Sequence, residues 1–122
     1  MVVIEKYVVD SSQVEAMTFE WGALQWLVNQ ESAEDAEMTI GVCTIAPGER
    51  NSEHFHPNCE EVLFVLEGEC DHTLGDEIVH LTPGMMIRCP ADMRHYAVNN
   101  GDEPMKALVI FSVPDRETMN VE

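Results

Sequence analysis

The segment from His54 to Gly68, HFHPNCEEVLFVLEG, combines two histidines, two glutamates and a long apolar run. His54 and His56 are one residue apart, so their imidazoles point to the same side of an extended chain. Glu61 and Leu63 follow the same alternation in the next segment. Imidazole nitrogens and a carboxylate oxygen suit divalent first-row transition metals. The segment therefore indicates a metal site formed by His54, His56 and Glu61 inside a β-structure.

A third imidazole would complete this set of ligands, and three further histidines are candidates: His72, His80 and His95. His95 follows a turn that contains a proline and begins a predicted strand, from which it can face back into a barrel. The spacing of the residues alone leaves the choice open.

The rest of the chain consists mainly of short β-branched or alternating segments separated by turn residues. This pattern is typical of an all-β sandwich or barrel. The predicted strands cover residues 2–9, 22–28, 38–46, 52–56, 60–68, 69–74, 77–82, 85–89, 95–100 and 105–113. Gly75 and Asp76 predict a tight hairpin turn. Only the segment from Asp10 to Phe19 is predicted to form a short helix, capped by Ser11 or Ser12.

Composition bounds the class of protein. The 122 residues suit one domain over positions 1–122, and 45% are hydrophobic, enough for a core. The formal charge of −17 disfavours nucleic acid and membrane surfaces as partners. We find neither a transmembrane run nor a secretory signal, so a cytoplasmic location is expected. The cysteines are then predicted to be reduced and buried, Cys59 within the histidine segment included: Cys43, Cys59, Cys70 and Cys89.

Two motifs in the chain resemble those of the cupin superfamily. In the first, five residues separate Gly48 from His54, four separate His56 from Glu61, and six separate Glu61 from Gly68. The second has the corresponding family spacing and comprises Gly84, Pro90, Asp92, His95 and Asn99. Nine of the ten motif positions match the family pattern, and the exception is Asp92, where the family usually has glycine. Aspartate tolerates a left-handed backbone better than most residues, so the turn is expected to persist.

The resemblance implies an all-β double-stranded β-helix, the cupin jelly-roll barrel, with core motifs at 48–68 and 84–99. It implies one divalent transition metal (Fe, Mn, Ni, Zn, Co or Cu) bound by His54, His56, Glu61 and His95. His72 and His80 fall outside both motifs and are predicted to lie on the hairpin surface. Single-domain cupins commonly dimerise, so a homodimer is expected, in which the apolar segment 2–9 is exchanged between subunits.

These features favour a metal-dependent enzyme that acts on a small, largely uncharged organic substrate. The reaction is expected to be that of a dioxygenase or of a non-redox isomerase, cyclase or lyase. The alternative is a non-catalytic module that binds a small molecule. The candidate catalytic proton carriers are Glu61, swinging off the metal, and a metal-bound hydroxide, because Glu60 and Tyr96 should alternate away from the metal. The cavity walls are expected among Trp21, Trp26, Met38, Leu63, Met86, Tyr96 and Phe111.

Other cupin activities fit less well. Phosphosugar isomerases need cationic groups for the phosphate, and only six basic residues are present. Thiol dioxygenases typically lack the glutamate ligand that Glu61 supplies. Oxalate-type decarboxylation needs a cationic anchor, for which Arg88 and Arg94 are the candidates.

Overall fold

A computed structural model describes residues 2–122. These residues form eleven β-strands and two short 3-10 helices. The strands are β1 (Met17–Phe19), β2 (Gly22–Val28), β3 (Thr39–Ile45), β4 (His54–Phe55), β5 (Glu61–Glu67), β6 (Cys70–Leu74), β7 (Glu77–Leu81), β8 (Met86–Cys89), β9 (Ala97–Val98), β10 (Met105–Phe111) and β11 (Met119–Asn120). No helix within residues 2–122 is long and apolar enough to cross a membrane.

The strands are arranged as the predicted jelly roll. The large sheet has six strands in the order β1-β2-β3-β10-β5-β8, and two smaller sheets have the orders β7-β6-β9 and β11-β4. Antiparallel bridges from Arg50 to Val98 and from His54 to His95 connect the smaller sheets. The all-β double-stranded β-helix predicted from the sequence is therefore confirmed.

Alternation along β5 and β10 builds the core. Glu61, Leu63 and Val65 of β5 are buried, whereas Phe64 between them is exposed. The neighbouring strand β10 buries every second residue from Met105 to Phe111. Burial of one large aliphatic side chain contributes roughly 1.5–3 kcal/mol. The inward face of these strands is apolar except at Glu61, which is the point where the candidate site begins.

The predicted hairpin is present. β6 and β7 pair in antiparallel fashion from Leu74 opposite Glu77, which leaves Gly75 and Asp76 as the two turn residues. Gly75 has φ of 60°, a left-handed conformation that glycine adopts without steric cost. The hairpin brings β6 against β9, and this pairing determines where His72 lies.

Two predictions for the N-terminal region are wrong. Residues 2–9 contain a 3-10 helix, Ile4–Tyr7, and not a strand, and their apolar side chains are exposed. β-Branched residues favour a strand only beside a neighbour that completes the hydrogen-bond ladder, and within residues 2–122 no strand pairs with this segment. The predicted helix from Asp10 to Phe19 is instead a 3-10 helix, Ser11–Gln13, followed by β1. Its cap is Asp10, whose carboxylate accepts a hydrogen bond from the Ser12 amide.

The homodimer expected from the resemblance, with segment 2–9 exchanged between subunits, stays a prediction.

The four cysteines are unpaired, buried thiols, as predicted. Burial raises the pKa of Cys43 to about 12 and that of Cys70 to about 11. Cys59, which lies inside the first motif, packs within the apolar core. Its burial also raises the pKa of its thiol. A raised pKa disfavours the nucleophilic thiolate at neutral pH.

Candidate metal centre

Backbone pairing holds His54 and His95 side by side. The His54 amide donates to the His95 carbonyl (3.1 Å), and the His95 amide donates to the His54 carbonyl (2.8 Å). Residues paired in this way project their side chains to the same face. The two rings consequently lie 4.5 Å apart between centroids, and His56, two residues after His54, adds a third ring 5.0 Å from that of His54.

Glu61 approaches this cluster from the large sheet. It begins β5, is only 5% exposed, and places Oε1 3.1 Å from His56 Nε2 and 3.0 Å from His95 Nε2. One ligand atom from each of His54, His56, Glu61 and His95 lies within 4.8 Å of the others, an arrangement that could hold a metal ion. The structure thus brings together the four residues proposed from the sequence, across the barrel interior.

Backbone carbonyl oxygens determine which nitrogen of each imidazole faces the cluster. Each Nδ1 lies within hydrogen-bond distance of one carbonyl: His54 with Ser52 (2.7 Å), His56 with Glu117 (2.9 Å) and His95 with Met93 (3.0 Å). A carbonyl only accepts, so Nδ1 carries the proton and donates it. A neutral ring then has its lone pair on Nε2. This outer hydrogen bonding is the arrangement usual for metal-binding histidines.

The contacts of Glu61 require a positive charge at the centre. A carboxylate oxygen and an Nε2 lone pair repel unless a proton or a cation lies between them. Burial lowers the pKa of His95, but contacts with Cys89 and Glu61 outweigh it and raise the pKa to about 10. Burial lowers the pKa of His54 to about 4. A divalent cation satisfies both His56 and His95 at once, so the donor set fits a transition metal.

The carboxylate itself is held in its ionised form. Burial tends to raise the pKa of Glu61, but the contacts with His56 and His95 outweigh it, and the pKa falls well below its usual range. An ionised carboxylate is the form that binds a metal. Glu61 is correspondingly a weak base for as long as these two contacts persist.

A cavity of about 380 Å³ opens beside the cluster. Four of the seven predicted wall residues line it: Trp21, Trp26, Leu63 and Phe111. The Phe111 ring meets the His56 ring edge-on at 5.0 Å. Met38, Met86 and Tyr96 are not among the lining residues, and the two methionines are exposed. These three predictions are therefore wrong: Met86 points outward from β8, Met38 precedes β3, and Tyr96 packs against Arg50.

His72 does not lie on the hairpin surface, contrary to the prediction. It is 2% exposed, lines the cavity and stacks on His95 with 5.7 Å between ring centroids. Pairing of β6 with β9 places His72 opposite Ala97, so Cys70 and His72 face inward together. The apolar Cys70 two residues earlier was the available signal. His80 is exposed and pairs with Asp71, as predicted for a surface histidine.

His72 presents an unprotonated nitrogen to the cavity. Its Nδ1 lies 2.8 Å from the Thr73 carbonyl, so Nδ1 carries the proton and Nε2 is an acceptor. Burial lowers the pKa of His72, which keeps the ring neutral at physiological pH. The cavity therefore contains one imidazole acceptor beyond the four candidate metal ligands.

Arg116 is a further cavity residue that the sequence reasoning missed. It lies between β10 and β11, where no local pattern marks it, and lines the cavity together with Thr118. The arginines proposed as anchors lie elsewhere, because Arg88 pairs with Glu60 and Arg94 pairs with Glu53 and with Asp76.

The other motif residues support the site without facing it. Asp92 adopts φ of 67°, as expected where the family has glycine, and its amide donates to the His56 carbonyl at 3.0 Å. A side chain at Gly68 would collide with the Pro104 carbonyl at 2.4 Å. Asn99 is fully buried and donates to the Ile45 and Glu103 carbonyls. The Asp92 contact joins the two segments that carry His56 and His95.

Comparison with known proteins agrees with this fold. Residues 41–111 match the family described as the cupin domain, and the chain belongs to that family. It is 35% identical to the Polyketide synthase CurC of Streptomyces cyaneus over 104 residues, which is 85% of this chain and 66% of that protein. It is 28% identical to the Tetracenomycin polyketide synthase protein TcmJ of Streptomyces glaucescens over 92 residues, 75% of this chain and 60% of that protein.

Among solved structures, the chain resembles oxalate decarboxylase of Bacillus subtilis, described with Mn(II) centres. The TM-score is 0.83 at 22% identity, covering 91% of this chain and 31% of that one. This likeness concerns the fold. The chain spans about two thirds or less of the length of each of these three proteins.

Proposed function

We propose that this cupin is a metal-dependent enzyme that converts a small enolisable organic compound of the polyketone type by a non-redox reaction. His54, His56, Glu61 and His95 are the proposed ligands of one divalent transition metal. The observation that carries the proposal is their geometry. Three imidazoles, each with Nδ1 at a backbone carbonyl, and one carboxylate place their ligand atoms within 4.8 Å of one another beside an aromatic cavity.

The ligand chemistry limits the metal to a class. Three imidazoles and one carboxylate suit Fe, Mn, Ni, Zn, Co and Cu alike, so no element is singled out. When bound, the metal supplies a Lewis acid that polarises carbonyl oxygens of the substrate. Enolisation of a polyketone needs such polarisation and a base, and it needs no oxidant. For this reason we favour cyclisation, isomerisation or elimination over dioxygenation.

The protein supplies the proton acceptor and the walls. His72 is the proposed base, because its neutral Nε2 faces the cavity. It can accept a proton without displacing any of the proposed metal ligands. Glu61 stays a proposed proton carrier only after its contacts with His56 and His95 break, since those contacts hold it ionised. The aromatic side chains exclude water and orient a planar substrate.

Relatives give independent support for the substrate class. CurC and TcmJ are both named as polyketide synthase proteins. A growing polyketide carries alternating carbonyl groups, and the methylene between two carbonyls is readily deprotonated. A site that combines a metal with a neutral imidazole suits that chemistry. A location in the cytoplasm and a small-molecule substrate are parts of the same proposal.

Turnover by the metal-loaded protein tests the proposal. Short 3,5-diketo thioesters and simple β-diketones would be incubated with wild type, His72→Gln and His80→Gln, with product masses and dissolved oxygen followed together. We expect isomeric or dehydrated products without oxygen uptake. His72→Gln should lower the rate by about 100-fold or more, in the range of general base catalysis. His80→Gln, on the surface, should match wild type.

Two results would contradict the proposal. Stoichiometric oxygen uptake coupled to product would identify a dioxygenase and exclude a purely non-redox reaction. Saturable binding of every compound without any product would identify a binding module.

A further inference from the structure

We infer that Arg116 determines substrate specificity by binding an oxyanion of the substrate, a carboxylate, phenolate or enolate, beside the proposed metal. This inference rests on the proposed function and narrows it. The sequence favours a largely uncharged substrate, whereas the structure points to a planar aromatic or enolic compound with one negative charge.

Stacking and one hydrogen bond hold the guanidinium in place. Its central carbon lies 4.4 Å from the Trp26 ring centroid and 5.1 Å from that of Phe111. Nη1 donates to Thr118 Oγ1 at 2.6 Å, and the same hydroxyl lies 3.2 Å from His56 Nδ1. Arg116 is therefore connected to a candidate metal ligand through a single side chain. The position of its charge relative to the cluster is fixed before any ligand arrives.

The remaining donors of Arg116 have no anion in the structure. Among residues 2–122, no carboxylate lies within ion-pair distance of it. The other three arginines each have an acidic partner: Arg50 with Glu122, Arg88 with Glu60, and Arg94 with Glu53 and Asp76. Acidic residues outnumber basic ones by 23 to 6, so partners are abundant. A half-buried guanidinium left without one inside a cavity is available to an anionic ligand.

The charge balance of the cavity favours an anion. Glu61 and Arg116 are the acidic and basic side chains among its lining residues, so their charges cancel. Burial lowers the pKa of Arg116, but a guanidinium stays protonated at neutral pH. A divalent metal would add two positive charges, which leaves the loaded cavity with a net charge of about +2. The protein outside it carries a large negative charge.

Shape narrows the ligand further. A volume of about 380 Å³ is near the lower end of the range for small-molecule sites, which suits one or two rings. Phe111 and Trp21 supply aromatic walls to this space, and the Trp26 ring carries the guanidinium. Arg116 also borders an adjoining surface groove, so it lies where the two spaces meet. A planar anion can then stack on the aromatic walls while its charged oxygens meet the guanidinium.

The test compares two probes that differ in one charge, 1-hydroxy-2-naphthoate and uncharged 1-hydroxy-2-naphthamide. Binding is measured by calorimetry at pH 7.5 with metal-free and Zn(II)-loaded protein. We expect wild type to bind the naphthoate at least about 10-fold more tightly than the amide, the scale of a charge-assisted hydrogen bond. Arg116→Gln should abolish that preference and leave the affinity for the amide within about threefold.

Three further variants keep the result interpretable. Arg116→Met retains an unbranched stem against Trp26 and removes the charge, so it should behave as Arg116→Gln does. Arg116→Lys should restore part of the preference. Arg88→Gln removes an arginine whose partner is Glu60, outside the cavity, and should match wild type.

A retained preference in either neutral Arg116 variant that melts like wild type would overturn the inference, and so would equal affinities for both probes in wild type. Failure of the proposed function can be distinguished from failure of this inference. If Zn(II) does not bind and no turnover occurs, a naphthoate preference in metal-free wild type that both neutral variants lose still assigns anion recognition to Arg116.

Discussion

Replacing Glu61 with glutamine should weaken metal binding by at least about 100-fold, or roughly 3 kcal/mol. The substitution preserves size and removes one charge at a side chain that is 7% exposed, with Oε1 about 3 Å from two imidazole nitrogens. At an effective dielectric constant near 20, one pair of unit charges about 4 Å apart interacts by about 4 kcal/mol. A divalent ion doubles the charge that the carboxylate attracts, which increases the loss of binding energy. The glutamine amide oxygen can still contact the metal and costs less to desolvate, which offsets part of that loss.

Glu60→Gln is the matched control for this substitution. It makes the same chemical change one residue earlier, at a side chain that is 46% exposed and lies 2.7 Å from Arg88. Metal affinity would be measured by competition of Zn(II) with a chromophoric chelator, and metal-free melting curves would confirm that both variants fold. We expect Glu60→Gln to bind the metal as tightly as wild type and Glu61→Gln to lose most of its metal affinity. Equal affinities in the two variants would refute the assignment of Glu61 as a ligand.

Three further predictions concern stability and reactivity. Removal of bound metal should lower the melting temperature by about 8–16 °C if the metal was present at about 100 times its Kd, and an unchanged curve after verified removal would contradict a site that binds only the folded chain. The Asp71 contact raises the pKa of His80, so the stability it adds is complete below pH 6.5 and is lost as pH rises through the raised pKa. His80→Ala should therefore lower the melting temperature more at pH 6 than at pH 9, and the reverse order would refute this sign. A thiol reagent should modify Cys43 at pH 8 only after unfolding, since burial raises the pKa of Cys43 to about 12; rapid reaction of the native protein would contradict its burial.

The sequence predicts the barrel and the candidate ligands because both depend on local spacing. Alternation in β5 places Glu61 and Leu63 on one face whatever strand lies beside it. His54 and His56 share a side for the same reason. Motif spacing adds His95, which local periodicity leaves as one of three choices. These features need no knowledge of long-range contacts.

Predictions from the sequence are wrong where long-range contacts decide the structure. Residues 2–9 have the composition of a strand and no partner strand in the described part of the chain. His72 faces inward because β6 pairs with β9, and Cys70 two residues earlier is only a weak local sign of that orientation. Arg116 reaches the cavity because residues near the C-terminus fold back, where β11 pairs with β4. Nothing in the residues around Arg116 indicates that return.

Metal content per chain, measured by ICP mass spectrometry on untagged protein, tests the central claim most directly. Wild type and the surface variant His80→Ala should contain near-stoichiometric transition metal, and His95→Ala should lose it. The element found would also separate Lewis-acid from redox chemistry. Equal metal in wild type and His95→Ala, or none in wild type after reconstitution with several divalent ions, would contradict a metal centre at His54, His56, Glu61 and His95.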